Sequence, residues 1–309
     1  MDNLKLCFLS SKDSSAVDSS SPSFDMFGSR RFQISGHCNG ILCLSVGYRT
    51  KTKIVLYNPA TRQFKCLPNS VIQDHSSFTI SVGMGYDSRI DDYKVVRINS
   101  MGIAYGVEEY SLSTDSWTPL CKSNASDFRF GRFALFFRGT YYWWASRRWE
   151  YSSTTMILGL NMGDEVFRTV SVPREVACSK SGDRNKLLAL WKNESICLIY
   201  SYGPERSPSL PMIDMWVMDG FGGDQVSWTK MHKITTNFPF LVGVQPLVFW
   251  KGNELLLETF FGEIKTYNVD TGEITSIKVE GPIVPGNTQA VNYVATLVSI
   301  KGGSFLPLT

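Results

Sequence analysis

The sequence predicts an all-β fold assembled from repeated four-stranded sheets, and three observations carry that prediction. Short runs rich in Val, Ile, Tyr, Phe and Trp alternate with Gly, Asn, Asp, Ser and Pro, and long helical periodicity is hard to find. The pattern returns about every fifty residues. Of the 309 residues, 43% are hydrophobic and 13% aromatic, enough to fill the seams between stacked sheets that cannot bury both faces alone.

Two signals define each unit. In one, an apolar strand passes through a polar turn into a short strand led by a bulky residue. It occurs at Ile54–Pro68 with Phe64, Val107–Leu120 with Trp117, Ile157–Val170 with Phe167, Ile213–Met231 with Trp228, and Ile264–Ile277 with Ile274. Tyr57, Tyr110, Leu160, Trp216 and Tyr267 mark the beat, 53, 50, 56 and 51 residues apart. The other signal is a tight turn between apolar runs: Asn39-Gly40, Arg138-Gly139, Lys192-Asn193 and Lys251-Gly252, with Asp87 to Asp92 in the second unit. Such pairs tolerate positive φ and close hairpins. Units near 34–68, 78–120, 128–173, 184–234 and 245–281 follow. At this period, five clear four-stranded repeats give a kelch-like β-propeller. Leu4–Leu9 and Val291–Ile300 are left over, and are expected to pair as a sixth blade in which the termini remove the open edge. Residues 1–33 then form a strand and a Ser-rich loop of the closing blade, 34–300 the propeller, and 301–309 a tail.

Charge and cysteine usage narrow the function. Lys+Arg number 31 against 28 Asp+Glu, a net +3. The tight basic clusters, Arg30-Arg31 and Arg147-Arg148, are too small for a phosphate-tracking face, so no nucleic-acid partner is expected. No run of eighteen apolar residues occurs, so no membrane partner is expected either. The seven cysteines are odd in number and scattered, without a Cys-x-x-Cys pair. They point to a reducing compartment, cytoplasmic or nuclear, and away from structural zinc. His37, His75 and His232 accompany neither a Gly-x-Ser-x-Gly elbow nor a His-x-x-x-His spacing. Gly220–Gly223 lies between two strands and opens no helix, so it is a hairpin loop rather than a phosphate cradle. No catalytic residue, metal ligand or cofactor is assigned, and no enzyme is expected.

Several strings, in order from about residue 34 to 281, resemble a known family. They are His37-Cys-Asn-Gly-Ile-Leu-Cys-Leu44, Tyr57-Asn-Pro-Ala-Thr-Arg-Gln-Phe64 running on to Pro68, Gly85-Tyr-Asp87 with Asp91-Asp-Tyr-Lys-Val-Val-Arg97, Tyr110–Trp117, and Asp214–Met218 followed by Ser227–Lys230. The chain is similar over this length to the plant F-box associated domain, type 1, of F-box/kelch and S-locus F-box proteins. The resemblance implies a substrate-recognition domain that recruits a protein target for ubiquitination. Family chains normally begin with an F-box that docks on the Skp-type adaptor of a cullin (SCF) ligase. No Leu-Pro-initiated, Leu-rich segment precedes residue 34, so that adaptor is an implied partner only where an F-box is joined to the domain. The alternatives are a stand-alone or truncated binding module, and a kelch-class lectin or enzyme, which would require a Tyr, His and Cys cluster that the sequence does not display.

Repeat residues build the scaffold, whereas loops off the beat carry recognition. Three loops stand out. Arg147-Arg148-Trp149-Glu150-Tyr151 mixes residue types enriched in interface hot spots. Tyr202–Pro211 is Pro-rich and holds Tyr202 and Arg206, and Asn237–Phe240 holds Phe238 and Phe240. The candidate partner-binding residues are Arg147, Arg148, Trp149, Tyr151, Tyr202, Arg206, Phe238 and Phe240, although each loop is also compatible with a plain connector. Trp143, Trp144 and Trp191 keep the beat and are assigned to the core.

Overall fold

A computed structural model describes residues 8–9, 16–17, 32–47, 52–72, 79–101, 104–120, 128–147, 155–178, 186–202, 212–220, 226–235, 244–279 and 285–305. Its chain divides into two compact units, residues 22–172 with 293–309, and residues 1–21 with 173–292. Among the described residues, β1 (Phe8–Leu9) and β2 (Ala16–Val17), in the second of these, pair only with each other.

Three sheets make up the first unit. β3 (Phe32–Cys38), β4 (Ile41–Val46), β5 (Lys53–Asn58) and β6 (Gln63–Cys66) form one antiparallel meander. β7 (Thr79–Asp87), β8 (Asp92–Met101), β9 (Ala104–Ser111) and β10 (Ser116–Pro119) form the next. β11 (Phe128–Phe137), β12 (Thr140–Arg147), β13 (Thr155–Asn161) and β14 (Phe167–Val170) complete it. The second unit opens with a single helical turn, α1 (Arg174–Ala177), behind Pro173, whose fixed φ suits a helix start. Two further meanders follow: β15 (Lys186–Trp191), β16 (Ser195–Tyr202), β17 (Met212–Asp219) and β18 (Ser227–Thr235), then β19 (Gln245–Trp250), β20 (Glu254–Glu258), β21 (Ile264–Asn268) and β22 (Ile274–Ile277).

The five expected repeats are therefore five four-stranded antiparallel sheets, and their turns have the anticipated chemistry. Asn39-Gly40 and Arg138-Gly139 hold positive φ at both positions, closing two-residue hairpins between Cys38 and Ile41 and between Phe137 and Thr140. In three sheets an Asn side chain fixes the turn into the last strand. Asn58, Asn161 and Asn268 each accept from the amide two residues on, at 3.0, 2.7 and 3.0 Å. Just before them, Tyr57 pairs with Phe64, Leu160 with Phe167, and Tyr267 with Ile274. In the fourth sheet this place belongs to Met218, which pairs with Trp228, and not to Trp216. A bulge between Met215 and Trp216 shifts the register there, leaving Trp216 half-buried beneath the Lys230 ammonium.

The core lies in the seams. Cys43, Leu56, Val95, Tyr110 and Trp117 pack in one cluster spanning the first two sheets. Val96, Ile98, Tyr141, Trp143 and Leu160 span the second and third. In the other unit Trp191, Cys197, Ile199, Met215, Phe249 and Leu257 do the same. Burial pushes the Cys38 and Cys43 thiols up to about 12, so both stay neutral and act as small apolar fillers.

The expected sixth blade is corrected by two findings. Among the described residues, Val291–Ile300 forms no strand, although its composition is that of one. It lies along the first sheet, and β23 (Ser304–Phe305) adds a fifth strand beside β6. The physical reason is competition for its carbonyls: side chains of the first sheet take them, as described below. Leu4–Cys7 lies outside the described residues.

Candidate functional site: the open ends of the sheets

Each meander has two ends. At one, tight hairpins join first to second and third to fourth strands. At the other, the second and third strands are joined, and the chain leaves for the next sheet. The sequence's candidate loops all attach at the second kind of end. In the third sheet, Arg147 faces Phe128 and Ser146 faces Thr155, so the connection 148–154 leaves there. Arg147 is exposed at the tip of β12. In the fourth sheet, Tyr202 faces Met212 and Met212 faces Thr235, so residues 203–211 and 236–243 both leave from one end. Arg148, Trp149, Tyr151, Arg206, Phe238 and Phe240 lie outside the described residues.

Tyr202 fixes the start of its loop. It is half-buried and stacks on Tyr200, with ring centroids 5.2 Å apart and planes at 16°. Burial, with the negative charge and hydrogen bond of Asp214, pushes its phenol up to about 12. Asp214 in turn accepts from Lys230 Nζ at 2.6 Å.

The sheet ends of this unit are aligned. Trp191, closing β15, meets Phe249, near the close of β19, with centroids 4.9 Å apart. The tight-turn ends of the two sheets thus lie side by side, and so do the open ends. At the open end of the fifth sheet Glu258 faces Ile264, and residues 259–263 form the turn between them. This turn carries a feature the sequence reading missed. Phe260 and Phe261 are 61% and 66% exposed and pack edge to face with each other at 5.5 Å. Their backbone is held rigid: the Gly262 amide donates to Thr259 O at 2.9 Å, and Glu263 N to Thr259 Oγ1 at 3.1 Å. Below it Glu258, 1% exposed, accepts from Gly286 N and Thr288 Oγ1, both at 2.9 Å, tying residues 286–288 to the same end. The signal available in sequence was Thr-Phe-Phe-Gly, two adjacent aromatics where the alternation of a strand has stopped.

Of the three histidines, two fall among the described residues. His37 sits on β3 with its imidazole pushed down by burial, and His232 sits on β18 edge-on to Trp191. His75 lies outside the described residues. Among the described residues, no group of three His, Cys, Asp or Glu is placed to hold a metal ion, and no helix is long and apolar enough to cross a membrane.

An all-β chain of recurring four-stranded blades, with an exposed aromatic pair on a connecting turn, is the class that fold and site define. The chain belongs to the family described as the F-box associated beta propeller domain, whose model matches residues 3–300. Its relatives include F-box protein CPR1 of Arabidopsis thaliana, 27% identical over 297 residues, covering 86% of this chain and 68% of that protein. An F-box/kelch-repeat protein of the same plant is 28% identical over 315 residues, covering 96% of this chain and 77% of its own length. Among solved structures, the β-propeller domain of Myceliophteria thermophila Cps50 (Swd1) overlaps with a TM-score of 0.39 at 11% identity, covering 82% of this chain and 90% of that one. An overlap of that size assigns neither fold nor activity. Membership of the family implies a substrate-recognition role, and the relatives are F-box proteins rather than enzymes.

Proposed function

We propose that this domain captures a protein target and, in a polypeptide that joins it to an F-box, recruits that target to an SCF-type ligase for ubiquitination in the cytoplasm or nucleus. The observation that carries the reading is the Phe260–Phe261 pair. Two large aromatics exposed on a rigid turn cost little conformational entropy to dock, and exposed aromatics of this kind anchor protein interfaces. They stand at the open end of the fifth sheet, and Tyr202, Met212 and Thr235 mark the same kind of end in the fourth. The Arg147 loop offers a separate contact in the other unit.

A Phe260→Ala/Phe261→Ala double variant tests this. Co-purification from plant extract should lose the captured protein while the melting temperature stays within error, because neither ring is buried. Capture at the wild-type level by the folded double variant would remove this surface from the reading.

A further inference from the structure

Two of the family-resembling strings, 37–44 and 57–68, supply a seat for the segment Val294–Phe305. Asn58, wholly buried, donates through Nδ2 to Thr296 O at 3.1 Å and to Val298 O at 2.7 Å. Two residues further, the Ile300 amide donates to Gln63 Oε1 at 3.0 Å, and the Ile300 side chain is 1% exposed in the cluster of Leu56, Tyr110 and Trp117. Lys65 Nζ donates to Lys301 O at 3.0 Å while pairing with Asp115 at 2.9 Å. Ser304 and Phe305 then pair with Phe64 and Gln63. On the other side, a Cβ at Gly40 would stand 2.4 Å from Val294 O and 2.5 Å from Thr296 Cγ2.

This is recognition of main chain. One amide side chain reads the carbonyls of Thr296 and Val298, and the Ile300 side chain fills a hole two residues later. The remaining apolar side chains do not seat: Val294 is 75% and Leu297 88% exposed. Asn161 and Asn268 make the same turn in other sheets through their Oδ1 atoms, but Asn58 adds the two carbonyl contacts.

We propose that Gly40, Asn58, Gln63 and Lys65 build a backbone-reading peptide site on the rim of the first sheet, and that residues 294–305 are its occupant in cis, a latch that opens without unfolding of the sheets. Local opening is expected where few apolar side chains are buried, and here Ile300 is the anchor. The site explains why Asn39-Gly40 and Tyr57-Asn-Pro-Ala-Thr-Arg-Gln-Phe64 carry the residue types they do, without a partner contact.

Hydrogen exchange on the full chain tests it, with Asn58→Asp against Asn268→Asp. Aspartate keeps the Oδ1 turn at either position, but at 58 it removes both donors to the latch. In the wild type the Ile300 and Gly303 amides should exchange faster than those of Ile41–Val46, at a rate insensitive to mild denaturant. Asn58→Asp should speed them about tenfold, leaving Ile41–Val46 protected, while Asn268→Asp should not. The proposal is overturned if the wild-type latch amides exchange only together with Ile41–Val46, a result readable even where Asn58→Asp fails to fold. It is overturned equally if the two variants act alike.

Discussion

Trp117 shows how much a single side chain does in these seams. It is 7% exposed, packs on Tyr110 at 5.4 Å, and donates from Nε1 to Pro68 O at 2.9 Å. Trp117→Ala leaves a cavity between two sheets and an orphaned carbonyl, and should cost about 3–5 kcal/mol in denaturant unfolding. Trp228 holds the corresponding place opposite Met218 but is half-buried, so Trp228→Ala should cost about 1–2 kcal/mol. Equal losses would mean that position in the repeat, not burial, sets the value. At Gly40 the constraint is backbone and space together, since φ is +76° and the latch closes over it. Gly40→Ala should destabilise by at least about 1 kcal/mol, whereas in an ordinary loop the change would stabilise. These residues were readable in sequence because a turn pair and a recurring aromatic are local signals. Trp216 was misplaced by two positions because alternate strand residues share a face, Trp is more conspicuous than Met, and no sequence pattern announces the bulge.

Elements depend on pairings that sequence does not display. Arg97 on β8 and Glu108 on β9 form a buried ion pair at 2.6 Å, with side chains 4% and 0% exposed. Glu108 also accepts from Val71 N at 3.2 Å, so the pair holds the linker leading out of the first sheet against the second. Glu108→Ala strands the guanidinium in the interior and should cost about 3–5 kcal/mol, measurable by urea unfolding. The Lys65–Asp115 contact ties the seat of the latch to the second sheet. Lys65, and then the Tyr110 hydroxyl, hold the Asp115 carboxyl below its usual value. A depressed folded-state value adds stability above about pH 4, and that contribution disappears as pH falls through the folded value. The melting difference between wild type and Asp115→Asn should therefore be largest near neutrality and close below pH 4; a constant difference would contradict the assignment. Residues 291–300 read as a strand because their composition is that of one. What decides their state is a side-chain amide more than two hundred residues away, which composition cannot report.

For the whole molecule, period and turn chemistry were sufficient to place five meanders, with boundaries within a few residues of those observed: 34–68 against Phe32–Cys66, and 245–281 against Gln245–Ile277. Recognition was less legible, since it depends on which side chains are left uncovered after packing. Phe260 and Phe261 follow Leu255–Leu257 with two residues between, and the end of the strand pairing at Glu258 and Ile264 puts them on a turn rather than in the sheet. In the proposed function, partners engage the open ends of the sheets and not the tight-turn ends. Hydrogen exchange of the chain with and without its captured partner reads which end is covered. Protection should appear at Phe260–Gly262 and be absent from the opposite turns, Lys192–Glu194 and Lys251–Asn253. Protection confined to those opposite turns would contradict it.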